Sequence, residues 1–202
     1  MELFERVDQI LDYWFGMLDD DAVYPEEKSK IWFNGGDEVD EYIRRNFEHD
    51  LLEAAKGRLD DWRLTPHGTL ALILLFDQFP RNIYRDMPAS FSFDEKALDL
   101  CLWGLEKGYD NGLRPVERVF YYLPMEHSEE LEIQKMSVMH FERLVRESPI
   151  AIKLPMDVAL EFAEKHCKII ERFGRFPHRN AILERESTRE ELEFLKEPGS
   201  AF

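Results

Sequence analysis

Residues 65–82 read TPHGTLALILLFDQFPRN, and the fold turns on this stretch. Thr65 is a good helix N-cap, and Pro66 suits the first helical position, where its missing N–H costs nothing. From there to Phe79 the residues are apolar on nearly every side, a pattern that suits a helix surrounded by others. Pro80 then ends the run, because a proline ring clashes with the preceding turn and pushes the residue before it towards an extended conformation. The expectation is a central buried helix over 66–79 that stops at Phe-Pro.

Its neighbours have helical period too. Leu3, Val7, Ile10 and Trp14 make one stripe, ending at Gly16; Val39, Ile43, Phe47 and Leu51 make another, ending at Gly57. DEKALDLCLWGLEKG closes at Gly108, PVERVFYYLP is a short helix between two prolines, and SEELEIQKMSVMHFERLVRE leads on to PMDVALEFAEKHCKIIERFG, which closes at Gly174. Thr188 and Glu191 form a capping box for a last short helix. No segment alternates like a strand, and no Gly/Ser linker divides the chain. The reading is one all-α domain over 1–202, an antiparallel helix stack.

Composition narrows the partners. There are 42 acidic against 26 basic residues, a net charge of −16, which opposes binding to nucleic acid or to an anionic membrane. The two cysteines form no disulfide framework, the N-terminus lacks the pattern of a signal peptide, and no apolar run is long enough to span a bilayer; a cytoplasmic location is expected. The motifs of zinc peptidases, di-iron bundles, P-loops, dinucleotide folds and serine hydrolases are missing, so no metal and no cofactor is expected.

Three core-facing stripes nonetheless carry polar residues. Leu70, Ile73 and Leu74 lead to Asp77. The stripe of Leu131, Val138, Phe141 and Val145 takes in Gln134 and, a turn upstream, His127. The stripe of Ala159, Phe162, Ile169, Ile170 and Phe173 takes in His166. Asp77 also sits in the last turn of its expected helix, where the dipole disfavours a carboxylate, so a guanidinium from Arg81, Arg175 or Arg179 is expected against it. PMEHSEE brings Glu126 and His127 to the expected start of the following helix.

The end of the opening stretch also has an echo. FDQFPRN at 76–82 returns as FGRFPHRN at 173–180, 97 residues later, with one inserted histidine, His178. Each copy reads as a helix stop followed by Arg-Asn. LALILLFDQFPRNIYR, RVFYYLPMEHSEELEIQ and HCKIIERFGRFPHRNAILERES together resemble the signature blocks of a bacterial domain family of unknown function with a tetratricopeptide-like, all-helical fold. The resemblance runs from about Tyr13 to the C-terminal EPGSAF. It implies an α-α superhelical stack and supplies no activity, cofactor or catalytic residue. It also implies glycine at two positions where this chain has Asp86 and Glu184.

Three functional expectations follow. The first is a helical-repeat-like protein that binds a small anionic molecule or a peptide carboxylate in a polar pocket of Arg81, Asn82, Gln134, His166, Arg175, His178, Arg179 and Asn180. The second is a hydrolase or transferase that uses His127 with Glu126 or Asp77 as an acid–base pair. The third is a structural or interaction module in which the two echoed motifs lock helix ends. Nothing in the sequence points to an oligomeric state.

Overall fold

Helices account for all the regular structure among the described residues. The computed structural model describes residues 2–33 and 35–200; the side chains of Glu2, Leu3, Phe4 and Phe33 fall outside that description, and with them the expected place of Leu3 in its stripe. In chain order the helices are α1 (Glu2–Phe15), α2 (Glu26–Phe33), α3 (Asp37–Ala55), α4 (Pro66–Ile73), α5 (Phe79–Ile83), α6 (Asp94–Glu106), α7 (Pro115–Glu126), α8 (Leu131–Glu147), α9 (Lys153–Phe173) and α10 (Arg189–Phe194).

Thr65 caps α4 as expected, its hydroxyl accepting from the Gly68 N–H at 3.0 Å. The central stretch does not stop at Pro80, however. Leu74–Gln78 forms a π-helical turn in which the Phe79 N–H bonds back to the Leu74 carbonyl, and α5 then carries the helix on to Ile83. Proline cannot donate, and in a regular α-helix its ring would strike the carbonyl four residues back. The π-turn admits one extra residue and shifts that register. Phe79, Pro80 and Ile83 are buried, and α5 packs on α3. Packing thus holds in the helix a proline that local preference reads as a stop.

The same correction applies to α7. Pro124 lies inside it, and the helix ends with His127 as its C-cap, the His127 N–H donating to the Leu123 carbonyl at 2.9 Å.

Around α4 pack α1, α6 and α7, while α8 lies between α7 and α9. Trp14, Phe79 and Phe120 meet at the centre, with Phe120 edge-on to Trp14 at 5.6 Å. Gly104 lets α6 approach α7; a Cβ there would fall 1.8 Å from the Tyr121 hydroxyl. Neighbours in sequence stacking on one another agree with the superhelical arrangement that the resemblance implies. Phe162, expected in the core, is 43% exposed instead, on the outer side of α9. Among the described residues no helix is long and apolar enough to cross a membrane.

Candidate functional site

The π-turn sets the geometry of the polar interior. It points Asp77 inwards with no exposure to solvent, towards the end of α7. There the ring of His127 brings Nδ1 to 2.7 Å from Asp77 Oδ1. The other carboxylate oxygen accepts from the Gln78 amide at 2.6 Å, and Arg81 stands 4.0 Å away. Burial pushes the Asp77 carboxyl up, but His127, Arg81 and Gln78 outweigh it and hold Asp77 below its ordinary value. An ionised carboxylate only accepts, so Nδ1 is the donor of this bond. The His127 side chain keeps 17% of its surface, and among the described residues Nε2 has no hydrogen-bond partner.

His127 was expected at a helix N-terminus. It lies instead at the C-terminal end of α7, where the dipole is negative, and Asp77 lies within a continuing helix rather than at its last turn. Histidine, more than the expected arginine, is the cation-capable partner of Asp77.

Glu126 does not serve His127. It turns to His166, with Oε1 3.0 Å from Nδ1, and both side chains are buried. The same Nδ1 lies 2.8 Å from the Phe162 carbonyl, which can only accept, so it carries the proton. Consecutive residues on α7 therefore form two carboxylate–imidazole pairs, with ring centres 6.3 Å apart. Gln134 joins the end of this helix, its amide donating to the carbonyls of Glu126 and Ser128 at 2.6 Å each. These bonds satisfy carbonyls that a helix end leaves free.

The corresponding arginines of the two echoed motifs meet. Arg81 binds Asp94 through two N–H groups at 2.7 and 3.0 Å and also donates to the Ser90 carbonyl. Arg179 reaches the same carboxylate at 3.5 Å and donates to the His127 carbonyl at 3.1 Å. Both guanidiniums lie over the ring of Phe91, at 4.9 and 4.8 Å. Burial, and next the charge of Arg81, push Arg179 down to about 10. Sequence reasoning missed Asp94. Its one signal was its place in the first turn of α6, where a carboxylate suits the dipole.

The second motif is tied down further by Glu129, also missed. It accepts from the Phe176 N–H at 2.8 Å and from both terminal nitrogens of Arg185 at 2.7 and 3.0 Å. His178 packs against Phe176 at 5.6 Å, and burial, followed by Arg179, pushes it down to about 4.

The remaining expected pocket residues point elsewhere. Asn82 donates to Asp40 at 2.8 Å, beside Arg85, which grips the same carboxylate at 2.6 and 2.7 Å. Arg175 binds Glu191 at 2.6 and 2.8 Å, and Asn180 binds Ser187 at 3.0 Å. Asp77, His127, Arg81 and Arg179 thus come together, with Glu126, His166, Gln134 and His178 beside them; Asn82, Arg175 and Asn180 do not join them. Cavities of about 240 and 350 Å3 open elsewhere, and neither is lined by Asp77 or His127. Among the described residues no group of three or more His, Cys, Asp or Glu side chains is placed to hold a metal ion.

The chain is thus an all-helical stack with two Phe-Pro motifs, each leading to Arg-Asn, whose arginines meet at Asp94. A family model described as a bacterial protein of unknown function (DUF924) matches residues 10–199, and the chain belongs to that family. A solved structure of a protein of unknown function, ATU0120 from Agrobacterium tumefaciens, is 31% identical, with a TM-score of 0.81 over 96% of this chain and 98% of that one. Among curated proteins, none matches. Molecular function in this family is therefore a question for the site itself.

Proposed function

We propose that the chain is an acid–base enzyme in which Nε2 of His127 transfers the proton and Asp77 orients the ring. One observation carries the reading: a fully buried carboxylate holds Nδ1 at 2.7 Å while the rest of the imidazole still reaches solvent. A carboxylate on Nδ1 fixes the tautomer and leaves the lone pair on Nε2, the arrangement a general base needs. Arg81 and Arg179 carry an internal carboxylate, Asp94, so they fit positioning of the pair better than capture of an anionic ligand. The substrate is a small polar molecule whose hydrolysis or group transfer begins with loss of a proton to Nε2. Cytoplasmic residence fits two buried, unpaired cysteines.

The test is hydrolysis of p-nitrophenyl acetate and p-nitrophenyl phosphate by wild type, His127→Gln and Asp77→Asn, each shown folded by circular dichroism. Turnover of at least one probe is expected to fall about 100-fold in His127→Gln. Equal turnover by wild type and His127→Gln sinks the reading.

A second reading, that the cluster only locks the C-terminal segment to the body, is favoured by the shared grip of Arg81 and Arg179 on Asp94. It predicts that Asp77→Asn lowers the melting temperature and that any loss of turnover follows the unfolded fraction alone.

A further inference from the structure

The π-turn that turns Asp77 inwards also places Phe76 in the wall of a different cavity, of about 240 Å3. Its other walls come from the end of α3 (Ala54, Gly57), from the 3-10 turn at Asp60–Leu64, from Leu72 of α4 and from α6. Four charged side chains line it: Arg63 and Lys96, Asp60 and Asp99. Arg63 lies with its guanidinium 4.2 Å from the centre of the Trp103 ring, and the Lys96 ammonium lies 6.0 Å from that of Phe76. Among the described residues, neither cation forms an ion pair with Asp60, Asp99 or any other carboxylate.

Arg63 differs in this from arginines such as Arg81, Arg85, Arg175 and Arg185, each gripped by a carboxylate. Two cations and two carboxylates around one space, held apart from each other, leave room for a ligand that carries both charges. A plain anion would meet the two carboxylates, and a plain cation would meet Arg63 and Lys96. The remaining lining, Leu72, Leu100, Phe76 and Trp103, is apolar or aromatic. A cavity of about 150 Å3 holds a benzene ring, so this one has space for a ring together with a charged backbone. We infer that this cavity binds a free α-amino acid with an aromatic side chain. Its carboxylate meets Arg63 and Lys96, its ammonium meets Asp60 and Asp99, and its ring lies against Leu72, Leu100 and the aromatic walls.

Calorimetric titration with L-phenylalanine, 3-phenylpropionate, phenethylamine and inorganic phosphate tests this, alongside 1H–15N NMR of the four tryptophan indoles. L-phenylalanine is expected to bind and to shift the Trp103 indole, identified by Trp103→Phe. The two half-ligands, which lack the ammonium or the carboxylate, are expected to bind about tenfold more weakly, as is L-phenylalanine to Arg63→Ala. Lys96→Ala, at an exposed position, repeats the test if Arg63→Ala does not fold. The inference is overturned if L-phenylalanine gives neither heat nor a Trp103 shift up to roughly 10 mM. It is equally overturned if either half-ligand or phosphate binds as tightly, or if both variants bind like wild type.

Discussion

Aligned on Phe-Pro, the two echoed stretches differ most at their second residue: Asp77 in the first copy, Gly174 in the second. In the first copy the helix widens into a π-turn, absorbs Pro80 and delivers a buried carboxylate to His127. In the second, Gly174 takes a left-handed conformation, φ 68°, and ends α9; the chain then turns through Pro177–Arg179. The copies agree again downstream. Arg81 and Arg179 share Asp94, and the residue four after each asparagine, Asp86 and Glu184, has positive φ, 60° and 54°. One string of residues thus supports two backbone paths to one carboxylate. The copy that keeps its helix carries a carboxylate–imidazole pair, and the copy that breaks it carries the anchor.

Four experiments probe the difference between the two copies. The largest effect is expected from Asp94→Ala, which leaves two neighbouring guanidiniums without their common partner. A loss of about 3 kcal/mol in urea unfolding is expected; a loss as small as that of an exposed surface pair would show that the copies do not depend on Asp94.

Next comes acidification, which acts through the histidine that the second copy alone possesses. The pKa of His178 is lowered to about 4 in the folded chain, against an ordinary 6.5. Between those values the unfolded chain takes up a proton that the native one refuses, so this contribution is whole above pH 6.5 and is lost as pH falls towards 4. The neighbours Arg179, His166, His127 and Glu129 set that field. Between pH 7 and 5 the loss from this group is expected to be about 2 kcal/mol, and His178→Phe should remove it. An unchanged pH slope in the variant's unfolding curves counts against it.

Gly174→Ala is expected to cost up to about 1 kcal/mol, through backbone strain alone, since a Cβ there meets nothing within 4 Å. Thermal melts that leave the variant unaffected would mean that the helix end does not need a left-handed residue. The smallest effects are gains. Glu184→Gly should stabilise by up to about 1 kcal/mol and Asp86→Gly by less, because aspartate tolerates positive φ better. Destabilisation of both would contradict relief of strain at these turns.

Much of this was legible in the sequence. Helical periodicity placed the long helices, and interruptions in their apolar stripes picked out Asp77, Gln134 and His166, all of them buried. The glycines implied at 86 and 184 correspond to the left-handed backbone found there. Pro80 and Pro124 were misread because a proline in a helix is judged locally, whereas burial of Phe79, Ile83 and Met125 depends on distant partners. That misreading placed His127 at the wrong end of a helix. Asp94 and Glu129 were missed because an acidic residue near a helix start looks solvated until its arginine arrives from up to 85 residues away, as Arg179 does. The short α2, with little amphipathic pattern, had no signal to find.

If Asp77 orients His127 as proposed, the imidazole carries its proton on Nδ1 and leaves Nε2 open. Long-range 1H–15N NMR of histidine-labelled protein above neutral pH, with the ring assigned by His127→Gln, measures this directly. A proton on Nδ1, a bare Nε2, and loss of that preference in Asp77→Asn are expected. A wild-type His127 with its proton on Nε2 and a bare Nδ1 facing Asp77 would contradict it.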